Sequence, residues 1–122
     1  VFLQPILFGL GHGFMEVLVL FIPNINQIII MGTLSIAIIE RVIAIIAHMF
    51  FTIIVWNGFQ RNKKAQYLIL GILAHGLLDS VALIAPSLGL SIWMVEGIFV
   101  LFDVVGIAYI IHSKKYYLEG SL

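Results

Sequence analysis

The sequence contains no cysteine. That excludes disulfide frameworks, cysteine-ligated zinc or iron–sulfur centres, and thiol nucleophiles. Charge is scarce too, with 10% of residues charged where a soluble domain carries roughly 25%. Six basic and six acidic residues cancel, so no excess charge points to nucleic acid or another polyanion. Too few charges remain to coat a soluble globule. What fills the 122 residues instead is apolar: 62% are hydrophobic, and the mean hydropathy is +1.18. This is the composition of a chain that lives in a bilayer.

A membrane-crossing helix needs about 20 mostly apolar residues. Four runs meet or approach that length: residues 6–22, 35–56, 65–85 and 91–112. They are continuous rather than alternating, which favours helices over barrel strands. The expected fold is all-α, one polytopic transmembrane helix bundle of about four spans covering residues 1–122. The first span is expected to end at Pro23-Asn24, with a connector over 24–33, and the third at Pro86. The apolar start without an initiator Met reads as a fragment of a larger membrane domain. No basic segment precedes the first run and no small-residue cleavage site follows it, which argues against a signal peptide.

Arg61, Lys63 and Lys64 follow the second run, Lys114 and Lys115 the fourth, and the two opposite loops carry no Lys or Arg. Four crossings put both basic clusters on one side. The positive-inside rule makes that side, loop 57–64 and the C-terminus, cytoplasmic in a multi-pass plasma-membrane protein.

Nine ionisable residues stay inside the spans: His12, Glu16, Glu40, Arg41, His48, His75, Asp79, Glu96 and Asp103. Each costs about 2.5–3.5 kcal/mol at a helix centre on insertion scales, so such residues read as functional by default. At 1.5 Å per residue, the acids Glu16, Glu40, Asp79 and Glu96 lie roughly 8–9 Å below the non-basic end. His12 and His75 lie at roughly 15 Å, and His48 and Asp103 at roughly 18–20 Å. Spacings of four and seven put His12 with Glu16, His75 with Asp79, Arg41 with His48, and Glu96 with Asp103 on shared faces. Each span is therefore expected to aim one polar stripe at a common centre. His12-Gly13-Phe14-Met15-Glu16 also echoes His75-Gly76-Leu77-Leu78-Asp79. Packing glycines beside polar stripes would give the same look without duplication, and Gly9, Gly11 and Gly13 all read as packing glycines.

Histidines and carboxylates in a dry layer permit two hydrolytic schemes. A glutamate can serve as general base on water while a second His with an Asp stabilises the oxyanion. Alternatively, His and carboxylate side chains bind a divalent metal such as zinc, which activates the water. No HExxH motif and no Gly-rich phosphate loop is present. The same residues also permit a proton-coupled membrane transporter, a non-catalytic bacteriocin-immunity-type protein, or a haem-binding subunit. Glu40-Arg41 reads more simply as a structural ion pair. Glu96 and Asp103 match no motif, and His112 lies at the interface beside Lys114. Trp56, Trp93, Tyr116 and Tyr117 fall near span ends, as an aromatic belt does.

The motifs Gly11-His12-Gly13-Phe14-Met15-Glu16, Glu40-Arg41 with His48, and His75-Gly76-Leu77-Leu78-Asp79-Ser80 resemble the YhfC-type branch of the CAAX-protease and bacteriocin-processing (CPBP) intramembrane proteases, to which PrsW-type proteases are related. The resemblance implies an intramembrane endopeptidase acting on a membrane-embedded or membrane-proximal peptide. It implies that Glu16 activates water with help from His48, and that His75 and Asp79 form an oxyanion-stabilising or metal-binding pair. Glu16, His48, His75 and Asp79 would then be the candidate metal ligands, with His12, Glu40 and Arg41 in support. The sequence departs from the wider superfamily in having Met15-Glu16 for a glutamate pair, Leu20 where an Arg is expected, and Ala44 where a Phe precedes the histidine.

Overall fold

The computed structural model describes residues 1–118, and the side chain of Leu118 and residues 119–122 are left undescribed. The last four residues, expected on the basic side, thus lie outside the described residues. Every element among the described residues is helical. Helix α1 spans Leu3–Glu16 and continues through a wide π turn, Val17–Phe21, and a tight 3-10 turn, Ile22–Asn24, into α2, Ile25–Ile30. Then come α3 (Leu34–Gln60), α4 (Lys64–Ser87), α5 (Ile92–Ser113) and the short α6 (Lys115–Leu118). These build four apolar segments long enough to cross a bilayer: Leu3–Ile30, Leu34–Gln60, Lys64–Ser87 and Ile92–Tyr117.

Two expected boundaries are corrected. Helical structure does not stop at Pro23-Asn24 but runs on to Ile30. A proline lacks the N–H that an inner helical turn uses. Here the backbone changes pitch on both sides of it, and the Asn24 side chain donates to the Leu20 carbonyl at 2.7 Å. Membrane helices tolerate proline when neighbouring groups take over the freed carbonyls in this way. Pro86 likewise sits inside α4, which ends at Ser87.

The three loops are short because a left-handed residue reverses each one: Gly32 at φ 68°, Asn62 at φ 56° and Gly89 at φ 84°. Beside them the exposed carbonyls are recovered, as where Lys63 N–H donates to Gly58 O at 2.8 Å and Leu90 N–H to Ala85 O at 3.1 Å. Ser91 caps α5 by accepting from Met94 N–H at 3.3 Å.

Helix α3 is the hub. Helices α1, α4 and α5 all pack on it, whereas α1 and α4 scarcely touch one another. Apolar surface has no water to escape in lipid, so close packing must hold the helices together. Ala47, Phe50, Phe51 and Ile54 form the core, covered by Tyr67, Ala74, Leu78, Phe102, Tyr109 and Ile110. Glycine permits the closest approaches. A methyl added at Gly106 would lie 2.9 Å from Phe50 Cγ, and one at Gly58 2.7 Å from Tyr67 Cβ.

At the basic end, α3 is fastened to α5 and α6 by Asn57, which is fully buried. Its amide donates to Tyr109 Oη at 3.0 Å and to Ser113 Oγ at 2.7 Å, and its carbonyl accepts from Tyr117 Oη at 2.9 Å. Tyr117 is therefore an interior residue, 4% exposed, and not a member of an interfacial belt. Arg61 donates to Tyr67 Oη and lies 5.0 Å from the Tyr116 ring centre.

Candidate active site

Helix α1 meets α3 backbone to backbone through two glycines one turn apart. A methyl at Gly9 would sit 2.6 Å from Met49 Cα and 2.8 Å from the His48 carbonyl, and one at Gly13 2.8 Å from Ile45 Cα. Small residues spaced by four allow such contact between membrane helices. Gly11 faces open space, which corrects its reading as a packing residue.

This contact sets Glu16, the last residue of α1, beside α3. Glu16 Oε2 lies 2.7 Å from His48 Nε2, and Arg41 Nη1 donates to Glu16 Oε1 at 3.5 Å. Arg41 and His48, seven residues apart on one stripe of α3, thus grip the two oxygens of one carboxylate. The His48 side chain is 7% exposed and that of Glu16 30%. Carboxylate and imidazole form a charge-assisted contact whenever His48 is protonated. The Thr52 hydroxyl donates to the His48 carbonyl at 2.8 Å.

Two more imidazoles flank His48. His12 stacks on it, with ring centres 4.6 Å apart and an interplanar angle of 18°; His75 meets it edge to face, at 5.3 Å and 85°. His75 in turn stacks on Phe51 at 4.8 Å. Three histidines from three spans therefore share one layer with Glu16.

The other acids are dispersed, and the expected common centre is only partly formed. Asp79 Oδ2 is 3.6 Å from His75 Nε2, beyond hydrogen-bond length, and its side chain is 69% exposed. It does border a cavity of about 180 Å³ shared with Glu16, Glu40 and Arg41. Glu96 and Asp103 turn inward, each 5% exposed. Glu96 Oε2 and both Asp103 carboxyl oxygens lack partners among the described residues. The two motif echoes also differ: Gly13 meets the Ile45 backbone, whereas Gly76 meets nothing.

The Glu16–His48 pair lies between two openings. One is the small acidic cavity just described. The other is a groove of about 290 Å³ lined by Phe8, Trp56, Phe59 and Leu68, with His12, His48 and His75 along its inner wall. Trp56, expected in the belt, helps to form this groove.

Four apolar spans with a carboxylate–imidazole pair inside their bundle define a polytopic membrane protein with a buried polar site. The model of the YhfC intramembrane metalloprotease family matches residues 25–100, and the chain belongs to that family. The match covers Glu40, Arg41, His48, His75, Asp79 and Glu96; His12, Glu16 and Asp103 lie beyond it. No curated protein and no solved structure matches the chain.

The family description includes a metal. The donor types suit zinc, which takes imidazole and carboxylate ligands in tetrahedral array. Their placement does not: stacked rings hold the nitrogens of His12 and His48 in parallel planes, and Glu16 is engaged by His48 and Arg41. Among the described residues no three His, Asp or Glu side chains converge to hold an ion. The expected ligand set Glu16, His48, His75 and Asp79 is not a closed metal site in this arrangement.

Proposed function

We propose that the chain is an intramembrane endopeptidase that hydrolyses a peptide bond at mid-bilayer depth, with Glu16 as general base. The observation that carries this reading is the 2.7 Å Glu16–His48 contact, with His48 lining the aromatic groove and Glu16 the acidic cavity beside it. A carboxylate has about four lone-pair sites. His48 and Arg41 take one on each oxygen and fix its orientation, leaving the others for water.

Glu16 takes a proton from the water as the water oxygen bonds to the substrate carbonyl carbon. The carbonyl π electrons move to its oxygen, which accepts a hydrogen bond from an N–H of His75. On collapse the C–N bond breaks, and Glu16 returns the proton to the leaving nitrogen. Asp79 lies on the same helix face as His75 and biases its orientation. His12 stacks on His48 and limits rotation of that ring. Arg41 holds the second oxygen of Glu16, and Glu40 is its neighbour around the acidic cavity. Loop 57–64 and the C-terminus face the cytoplasm across a plasma membrane, in keeping with their five basic residues.

The test uses the reconstituted protein and a set of internally quenched transmembrane peptides. Wild type should cleave members of the set, and Glu16→Gln should not. Proton-coupled flux without cleavage would instead establish the transporter reading, for which the row of three imidazoles would serve as the relay.

A further inference from the structure

Because α1 and α4 both lie on α3 but scarcely meet, a strip of α3 is uncovered between them. The aromatic groove occupies that strip, and its walls open sideways: Phe8 is 64% and Ile72 62% exposed. It runs from His48 towards the basic loop. At that end Lys64 Nζ stands 5.2 Å from the Phe59 ring centre. Arg61 is turned away towards Tyr67 and Tyr116, so of these two cations Lys64 is the one beside the groove-lining Phe59. Among the described residues the acids are Glu16, Glu40, Asp79, Glu96 and Asp103, all at mid-depth or nearer the other end. Lys64 has no carboxylate partner among them.

We propose that this groove receives a peptide segment sideways from the bilayer, placing a bulky apolar side chain among Phe8, Trp56 and Phe59 and an acidic side chain against Lys64. The inference rests on the peptidase reading and adds the chemistry of its substrate. Between His48 and Phe59, α3 rises about 16 Å at 1.5 Å per residue. An extended chain covers that distance in about five residues at 3.3 Å each. The acidic residue therefore lies about five positions from the scissile bond, on the basic-loop side. The volume, about 290 Å³, falls just under the roughly 300–1,000 Å³ of pockets that enclose a drug-sized ligand; it suits one or two side chains. The imidazole wall favours a peptide over a phospholipid. An acyl chain would leave those nitrogens without partners, whereas an extended backbone offers them N–H and C=O groups.

Binding can be read apart from cleavage. Trp93→Phe leaves Trp56, inside the groove, as the single tryptophan. In phosphatidylcholine vesicles the full chain is titrated with synthetic transmembrane peptides that carry one dibromotyrosine, which quenches nearby tryptophan. An Asp stands three, five or seven positions towards the basic-loop side, or is replaced by Asn. Saturable quenching should be tightest with Asp at five. It should weaken about five-fold with Asn or in Lys64→Gln, as expected for one partly exposed charge pair, and be kept in Lys64→Arg and Glu16→Gln. Equal binding of Asp and Asn peptides, or no saturable quenching by any, overturns the proposal. So does Lys64-dependent quenching by brominated phosphatidylglycerol that displaces the peptide, because the occupant is then an anionic lipid. Binding of this pattern without hydrolysis by wild type overturns the peptidase reading and leaves the groove's selectivity standing.

Discussion

Asn57 and His48 are buried polar side chains on the same helix, yet they are treated in opposite ways. Three of the four side-chain hydrogen-bonding directions of Asn57 are taken, by hydroxyls from the far end of the chain. His48 has one strong partner, Glu16, and an open groove on its other side. A buried polar group enclosed by partners acts as a clasp. One that is held on a single side and faces a cavity is available to a substrate. Burial is nearly equal at the two residues, so burial does not distinguish these roles; the distribution of partners does.

Seven substitutions, in five tests, would break or sharpen this contrast. The largest effect is expected at the open side. Glu16→Gln and His48→Ala should each lower peptide hydrolysis at least about 100-fold, the low end for a lost general base, with helicity by circular dichroism unchanged. Gly13→Ala comes next. Its new methyl meets the Ile45 backbone, so α1 must lift from α3 and draw Glu16 away from His48. Hydrolysis should fall about ten-fold or more even though alanine is the better helix former by roughly 1 kcal/mol, so the loss reports the α1–α3 contact and not helix propensity. Asn57→Ala should do the reverse. It should destabilise the fold by about 1–2 kcal/mol, the upper range for hydrogen bonds between membrane helices, and leave the rate per folded molecule intact. Denaturation in mixed micelles, followed by an activity assay at matched folded fraction, separates the two effects. Asp103→Leu should raise stability by about 1 kcal/mol, since two buried oxygens without partners are replaced by an apolar group of similar size; a lower melting temperature would show that Asp103 has a partner in the membrane. Smallest of all, Gly11→Ala and Gly76→Ala face open space and should leave hydrolysis unchanged, with a gain in stability of no more than about 1 kcal/mol from helix propensity.

The four spans were legible because a bilayer admits few alternatives to long apolar helices, and composition alone demands them. The shared face of Arg41 and His48 was legible from their spacing of seven; that Arg41 reaches Glu16 rather than its neighbour Glu40 was not, because the choice depends on where α1 crosses α3. Other features were hidden for physical reasons. Which glycines touch a neighbour depends on where the partner helix crosses, so Gly9 and Gly13 look no different from Gly11 in sequence. Tyr117 lies near a span end, as belt residues do, and only the approach of Asn57 turns it inward. Asp79 repeats the spacing of Glu16 from its histidine, yet it stays largely exposed at the border of the acidic cavity, without a close partner of the kind Glu16 finds in His48. The wide turn after Glu16 left no trace that periodicity could detect.

That wide turn bears on how related chains can differ in length. A π turn holds one residue more than the α-helix needs, and this one begins directly after Glu16. Deleting a single residue within Val17–Phe21 would restore an ordinary turn and leave the helix on both sides close to its present register. Gly9, Gly13 and Glu16 would keep their register on α3. Single-residue insertions and deletions among relatives should therefore gather in this segment, and an alignment that forces a gap elsewhere in the first span would misplace the carboxylate.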